Sequence, residues 1–174
     1  VDPGWLVARW LHANTYRMRA EGDLVLYCAA PEKEPPSAST AVQFGGRVQL
    51  ERLAVVDAER TDEAAVLVHT EWRALEHIEH SLVLRLELVD SGGSVWAVHE
   101  SHLGPHRVHI EERHPGETFV ERLGLVVPIG TPPGDYALRL RVFSDDVEWI
   151  SEGNEPFQVE GAVEVPHSEP PWRI

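Results

Sequence analysis

The stretch Leu82-Val83-Leu84-Arg85-Leu86-Glu87-Leu88-Val89-Asp90-Ser91-Gly92-Gly93-Ser94-Val95-Trp96-Ala97-Val98-His99 decides how the chain is read. Leu82, Leu84, Leu86 and Leu88 alternate with Val83, Arg85, Glu87 and Val89. Successive side chains of a strand point to opposite faces, whereas a helix brings apolar residues round every third or fourth position. The period here is two, so the segment is a strand with one apolar face. Ser91 to Ser94 then supplies the residues of a tight turn before Val95 to His99 resumes, which predicts a hairpin.

The same pattern extends in both directions. Val66, Val68, Thr70 and Trp72 share one face of Ala64 to Ala74, and Val48, Leu50, Leu53 and Val55 alternate less regularly. Leu123, Leu125 and Val127 precede the punctuation Thr131-Pro132-Pro133-Gly134-Asp135, and Tyr136, Leu138, Leu140 and Val142 follow it. Strands with one apolar face each, separated by turns, bury those faces by stacking two sheets. The fold class expected is all-β, an antiparallel β-sandwich of about eight strands, with jelly-roll and immunoglobulin-like connectivity both compatible.

The first residues read differently. Asp2-Pro3 is a helix start, and Trp5, Leu6, Ala8, Trp10 and Leu11 give one apolar side, so a short helix is expected over 3–13. Tyr16 and Met18 alternate with Arg17 and Arg19, and Leu24 to Cys28 follows Glu21-Gly22-Asp23, which predicts a pair of strands. Pro31 to Thr40 is polar and Pro-rich and reads as a linker. The expected organisation is therefore a helix and strand pair over 1–30, a linker over 31–40 and the sandwich over 41–174.

Composition excludes several functions. The 174 residues are 43% apolar and 25% charged, the profile of one globular domain. At that length folding buries about 70% of the unfolded surface, so the core needs no metal or disulfide staple. Cys28 is the single cysteine, which rules out an intrachain disulfide. With 15 basic and 29 acidic residues the net charge is -14, and such a surface repels the phosphate backbone of nucleic acids. The longest apolar runs, such as Leu123 to Gly130, fall short of the roughly 20 residues of a membrane span. Gly45-Gly46 and Gly92-Gly93 lie at strand ends with no helix after them, so no phosphate loop and no cofactor is expected.

Two residue types are in surplus. Among ten histidines, His77-x-x-His80 and His99-x-x-His102 have zinc-ligand spacing for a helix, but on a strand such pairs point to opposite faces. The metal candidate that survives is a loop site of His102, His106, His109 and His114. The acidic groups Glu111-Glu112, Asp145-Asp146 and Glu148 invite comparison with a glycosidase pair, yet strand neighbours face opposite ways. Of six tryptophans, Trp72 shares the core face. Trp149 stands among Asp145, Asp146, Glu148 and Asn154, the aromatic, carboxylate and amide set of a sugar site, and Trp96 flanks the Ser91 to Ser94 turn as a further candidate.

Several turns and strands together resemble a known module. They are Phe44-Gly45-Gly46 with Val48 and Leu50, Glu71-Trp72, Leu88-Val89-Asp90, His99 to Pro105, His114-Pro115-Gly116-Glu117, Leu123 to Pro128, and Pro132-Pro133-Gly134-Asp135-Tyr136 with Leu138. The order is similar to that of the C-terminal extracytoplasmic β-sandwich of bacterial membrane glycosyltransferases akin to protein mannosyltransferases. It departs from that pattern at His114, where a Trp is expected, and at His99-Glu100-Ser101-His102, in place of a more usual Gln-x-Asp. The resemblance implies that glycosyl transfer takes place in membrane loops of a longer chain. The module itself would then be non-catalytic, lying on the extracytoplasmic face and binding glycan or docking on the membrane-embedded part of its own chain. An opening at Val1-Asp2-Pro3 without Met agrees with a piece of a longer protein. The competing expectations are a stand-alone metal-dependent or hydrolytic enzyme using the histidine loop, and a purely structural interaction module.

The alternation makes a test of register. Leu84→Ala or Leu138→Ala should cost about 2 to 5 kcal/mol in chemical denaturation, and a loss below about 1 kcal/mol at both contradicts the strand assignment. Arg85 and Arg139, on the other face, are expected to tolerate Ala far better.

Overall fold

The computed structural model describes residues 7, 10, 11, 14–21, 24–29, 38–58, 65–78, 81–103, 113–144, 147–149, 151 and 157–165. Eleven strands are present among them. In chain order they are β1 (Thr15–Glu21), β2 (Leu24–Ala29), β3 (Ala38–Phe44), β4 (Val48–Ala58), β5 (Ala65–Ala74), β6 (Leu82–Val89), β7 (Val95–His102), β8 (Thr118–Val126), β9 (Gly134–Ser144), β10 (Val147–Trp149) and β11 (Phe157–Val165). One sheet runs β2-β1-β8-β5-β4-β3. The other runs β10-β9-β6-β7, with β11 also paired to β9.

The chain is thus a β-sandwich, and its strand order chooses between the two connectivities. The neighbours β4, β5 and β8 lie in one sheet, while β7, β6, β9 and β11 lie in the other with β10. That is the A-B-E against C′-C-F-G division of an immunoglobulin-like sandwich. A second mark of that fold is the tyrosine at the start of strand F, whose hydroxyl reaches back to the corner before it. Tyr136 occupies that place on β9, and its hydroxyl donates to the Pro132 carbonyl at 2.6 Å.

The core follows from the alternation. Leu82, Leu84, Leu86 and Leu88 of β6 face Val66, Val68 and Trp72 of β5 and Leu123 and Leu125 of β8 within one buried cluster. Trp72 is wholly buried, and its indole N–H donates to Thr70 Oγ1 at 2.8 Å, so burial leaves no unpaired donor. The Phe44 ring packs against it at 5.7 Å.

Three differences from the sequence reading have physical reasons. Strand β3 begins at Ala38, inside the stretch read as linker, and pairs Ala38 with Leu53 and Ser39 with Arg52. As the last strand of its sheet it is paired at Ser39 with β4 alone among the described residues, so Ser39 and Thr40 can occupy it without apolar alternation. Residues 31–37 lie outside the described set. The β1–β2 pair, expected as part of a separate leading unit, extends the sheet, because β1 lies parallel to β8 through Arg17 and Leu123. Together with β3 and the short β10, it lifts the strand count above eight. At the N-terminus Val7, Trp10, Leu11 and Asn14 are helical, with Asn14 Nδ2 donating to the Trp10 carbonyl, and the other positions of the expected helix are not described. Trp10 is 60% exposed.

A second, smaller cluster holds β1 in place. Tyr16 and Met18 pack with Leu67 on the outer face of the first sheet, bordered by Cys28, Ala65 and Val126. The glycine at position 124 makes this possible, since a Cβ there would overlap Met18 Sδ. Gly124→Ala should therefore destabilise by about 1 to 3 kcal/mol in urea denaturation. Adding Met18→Ala should return part of that loss. A strictly additive double variant would show that the two residues do not share this space.

Candidate functional site

The outward face of the second sheet carries an ion network absent from the sequence reading. Alternation sends Arg85 and Glu87 of β6 outward beside Arg139 and Arg141 of β9. Glu87 is only 1% exposed, with Arg139 at 2.6 Å, Arg85 at 2.8 Å and Arg141 at 3.5 Å. Arg141 also holds Glu148 through Nε at 2.7 Å, and its guanidinium stacks on Phe143 at 5.1 Å. This fork keeps the Glu148 carboxyl below its ordinary range. Arg85 and Arg139 are consequently not the tolerant outward residues expected above, because removing either withdraws a partner from a buried carboxylate.

Trp149 and Glu148 are separated by that geometry. Trp149 pairs with Val142, a core residue, while Glu148 pairs with Phe143 on the outer face. The Trp149 ring covers Gly45 of the β3–β4 turn, where a Cβ would come within 2.8 Å of it, and the glycine adopts φ 56°. The tryptophan is thus packed against the core beside the β3–β4 turn, and its carboxylate neighbour is held by Arg141. Asp145, Asp146 and Asn154, the other members of the expected sugar set, lie outside the described residues.

Trp96 has a different setting. It is the extra residue of a bulge, since Leu88 pairs with Ala97 and Val89 with Val95. The hairpin turn is organised by Asp90, whose Oδ1 accepts the backbone N–H of Gly92 and of Ser94 at 2.9 Å each. Its Oδ2 accepts the Trp96 indole N–H at 2.8 Å. The ring is therefore fixed in direction while remaining 36% exposed. Beside it opens a cleft of about 560 Å³ lined by Met18, Trp96, Val98, His99, Glu100 and Pro128, with Ala97 and Val126 completing it.

His99 is a buried polar residue of the cleft wall. A carbonyl oxygen can only accept, so the 2.9 Å contact between Nδ1 and the Met18 carbonyl places the ring hydrogen on Nδ1. Nε2 is then an acceptor, and it is buried without a hydrogen-bond partner among the described residues. Burial pushes the imidazole below its usual range, helped by the nearby Arg17 charge and opposed by the Met18 bond. Glu100 follows on the same strand, its side chain 53% exposed, with Arg85 at 3.3 Å.

The histidine candidates spread out. His99 is buried and His102 exposed, as their spacing on one strand requires. His102 Nδ1 contacts Ser81 Oγ at 3.0 Å, His114 is exposed in the turn before β8, and His106 and His109 are not described. Among the described residues no three His, Cys, Asp or Glu side chains are grouped to hold a metal ion. Glu87, Asp90 and Glu100 are not candidates in the sequence, and His99 enters there only as half of a metal pair. Asp90 directly before Ser-Gly-Gly-Ser was the one available signal, since an Asp there caps its own turn.

No family model and no curated protein matches the chain. Among solved structures it is similar to a β-glucuronidase from glycoside hydrolase family 2, at TM-score 0.46 and 11% identity, over 62% of this chain and 11% of that one. It is also similar to a β-D-mannosidase from Dictyoglomus thermophilum, at TM-score 0.43 and 12% identity, over 65% and 13% of the two chains. A glycosyl hydrolase family 2 member from Bacteroides cellulosilyticus gives 0.41 and 18%, over 68% and 15%. The aligned region is thus a small fraction of each of these proteins. At these similarities they carry no argument about what the chain does.

The Asp90 capture of Trp96 has a pH signature. The indole bond, first, and the Ser94 N–H lower the carboxyl below its ordinary value. A depressed acid contributes fully above its unfolded pKa and loses the contribution as pH falls through the folded one. The Trp96 indole proton followed by NMR should hold its shift from neutral pH down to below about 4, the usual Asp value. A midpoint at or above that value would show that the carboxylate does not hold the ring.

Proposed function

We propose that the chain is an accessory carbohydrate-binding module, itself without catalysis, in which Trp96 is the stacking platform. The observation that carries this is a single one: an exposed indole, fixed by Asp90, at the lip of a cleft. The flat face of an indole covers the C–H face of a sugar ring, and prior fixation of the ring lowers the entropy lost on binding. Glu100, on the same strand and half exposed, stands to take hydroxyl hydrogen bonds. The motifs quoted from Phe44 to Leu138 add the further reading that the module sits on the extracytoplasmic side of a membrane glycosyltransferase-like protein.

One observation favours docking onto the remainder of that protein. Val95 and Val98 are exposed around Trp96, and Ile129, next to the lining Pro128, is 97% exposed. An array of neutral and acidic oligosaccharides, followed by fluorescence titration of the hits, separates the two. Trp96→Ala should weaken glycan binding at least about tenfold, the factor that about 1.4 kcal/mol of stacking represents. Trp149→Phe should leave it unchanged. Failure of every glycan to bind the wild type, or equal binding by Trp96→Ala, overturns the glycan reading.

A further inference from the structure

We infer that the Trp96 cleft selects neutral saccharides over acidic ones and that Glu100 sets this selectivity; the inference rests on the reading of the cleft as a glycan site. Among the described residues that line it, Glu100 is the one with a formal charge at neutral pH. Its charge is only partly met, because Arg85 is shared between Glu100 at 3.3 Å and the buried Glu87 at 2.8 Å. Half of the Glu100 side chain remains open to an incoming ligand.

The second polar group points the same way. His99 has spent its ring hydrogen on the Met18 carbonyl, so a ligand meets no imidazole donor here. The remaining ring nitrogen is buried, so the exposed acceptor is the Glu100 carboxylate. It suits hydroxyl groups, which donate, and it opposes a carboxylate, sulfate or phosphate, which brings more acceptors and a like charge. Arg17, the cation nearest His99, is not among the described residues lining the cleft. Met18, Val98, Val126 and Pro128 add apolar side chains suited to the C–H face of a neutral ring. The net charge of -14 repels anions at longer range as well.

The test uses the full chain and a matched pair of probes. One is a neutral oligosaccharide bound on the array; the other is the same molecule with its terminal C6 hydroxymethyl oxidised to a carboxylate. In calorimetric titration at pH 7 the oxidised probe should bind at least about tenfold more weakly. With Glu100→Gln, which keeps an acceptor and removes the charge, the ratio should fall below about threefold. Equal or tighter binding of the oxidised probe overturns the inference, as does a ratio unchanged by Glu100→Gln. Trp96→Ala is measured alongside: if neither probe binds the wild type, or if that variant binds as well, the glycan site itself is wrong and the selectivity falls with it.

Discussion

The burial of one leucine row against one tryptophan is the constraint from which the remaining geometry follows. Leu82, Leu84, Leu86 and Leu88 reach zero exposure against the side of the sandwich that holds Trp72. Each such side chain contributes about 1.5 to 3 kcal/mol on leaving water, so the row alone matches the net stability of an average domain, about 5 to 15 kcal/mol. A slip of one residue would turn all four to solvent. The register is therefore fixed, and with it the direction of every residue between them. Arg85 and Glu87 have no choice but to face outward, where the same rule applied to β9 has placed Arg139 and Arg141.

That outward placement accounts for where a ligand site can and cannot be. Glu87 loses its water to three guanidinium groups lying over it, and Glu148 is taken up by the outermost of them. The middle of this face is thus satisfied internally, and binding there would have to break ion pairs before making new contacts. The sheet ends at β7, where the bulge at Trp96 interrupts the ladder and turns a large ring toward solvent. A strand that ends a sheet, a bulge and a turn organised by a carboxylate occur together at this one place, and the cleft opens beside it.

How much of this could be read beforehand depended on whether the signal was local. Strands β5, β6, β8 and β9 were legible because Val66, Val68, Thr70 and Trp72, or Leu82 to Leu88, each show the pleat in their own sequence. The Ser91 to Ser94 hairpin was legible for the same reason. The seat of β1 was not, since it depends on Gly124 and Leu67, residues about 50 to 100 positions away that meet Met18 only in the folded chain. One trace of it was present: Val66-Leu67-Val68 is apolar without alternation, as a strand covered on both faces must be. The Glu87 network was equally non-local, because charged residues facing outward look solvated until the neighbouring strand is known.

The same distinction explains the different settings of the two tryptophans named as candidates. Trp149 stood among carboxylates in the sequence, but position along a strand says nothing of depth, and its pairing with Val142 turns it inward over Gly45. Trp96 had a plainer neighbourhood, with Asp90 six residues earlier across a turn. Closing that hairpin brings the Asp90 carboxylate to the indole nitrogen, so the same bond that stabilises the turn also orients the ring. Orientation of the aromatic is thereby a by-product of folding. An aromatic fixed in this way has little conformational freedom left to lose.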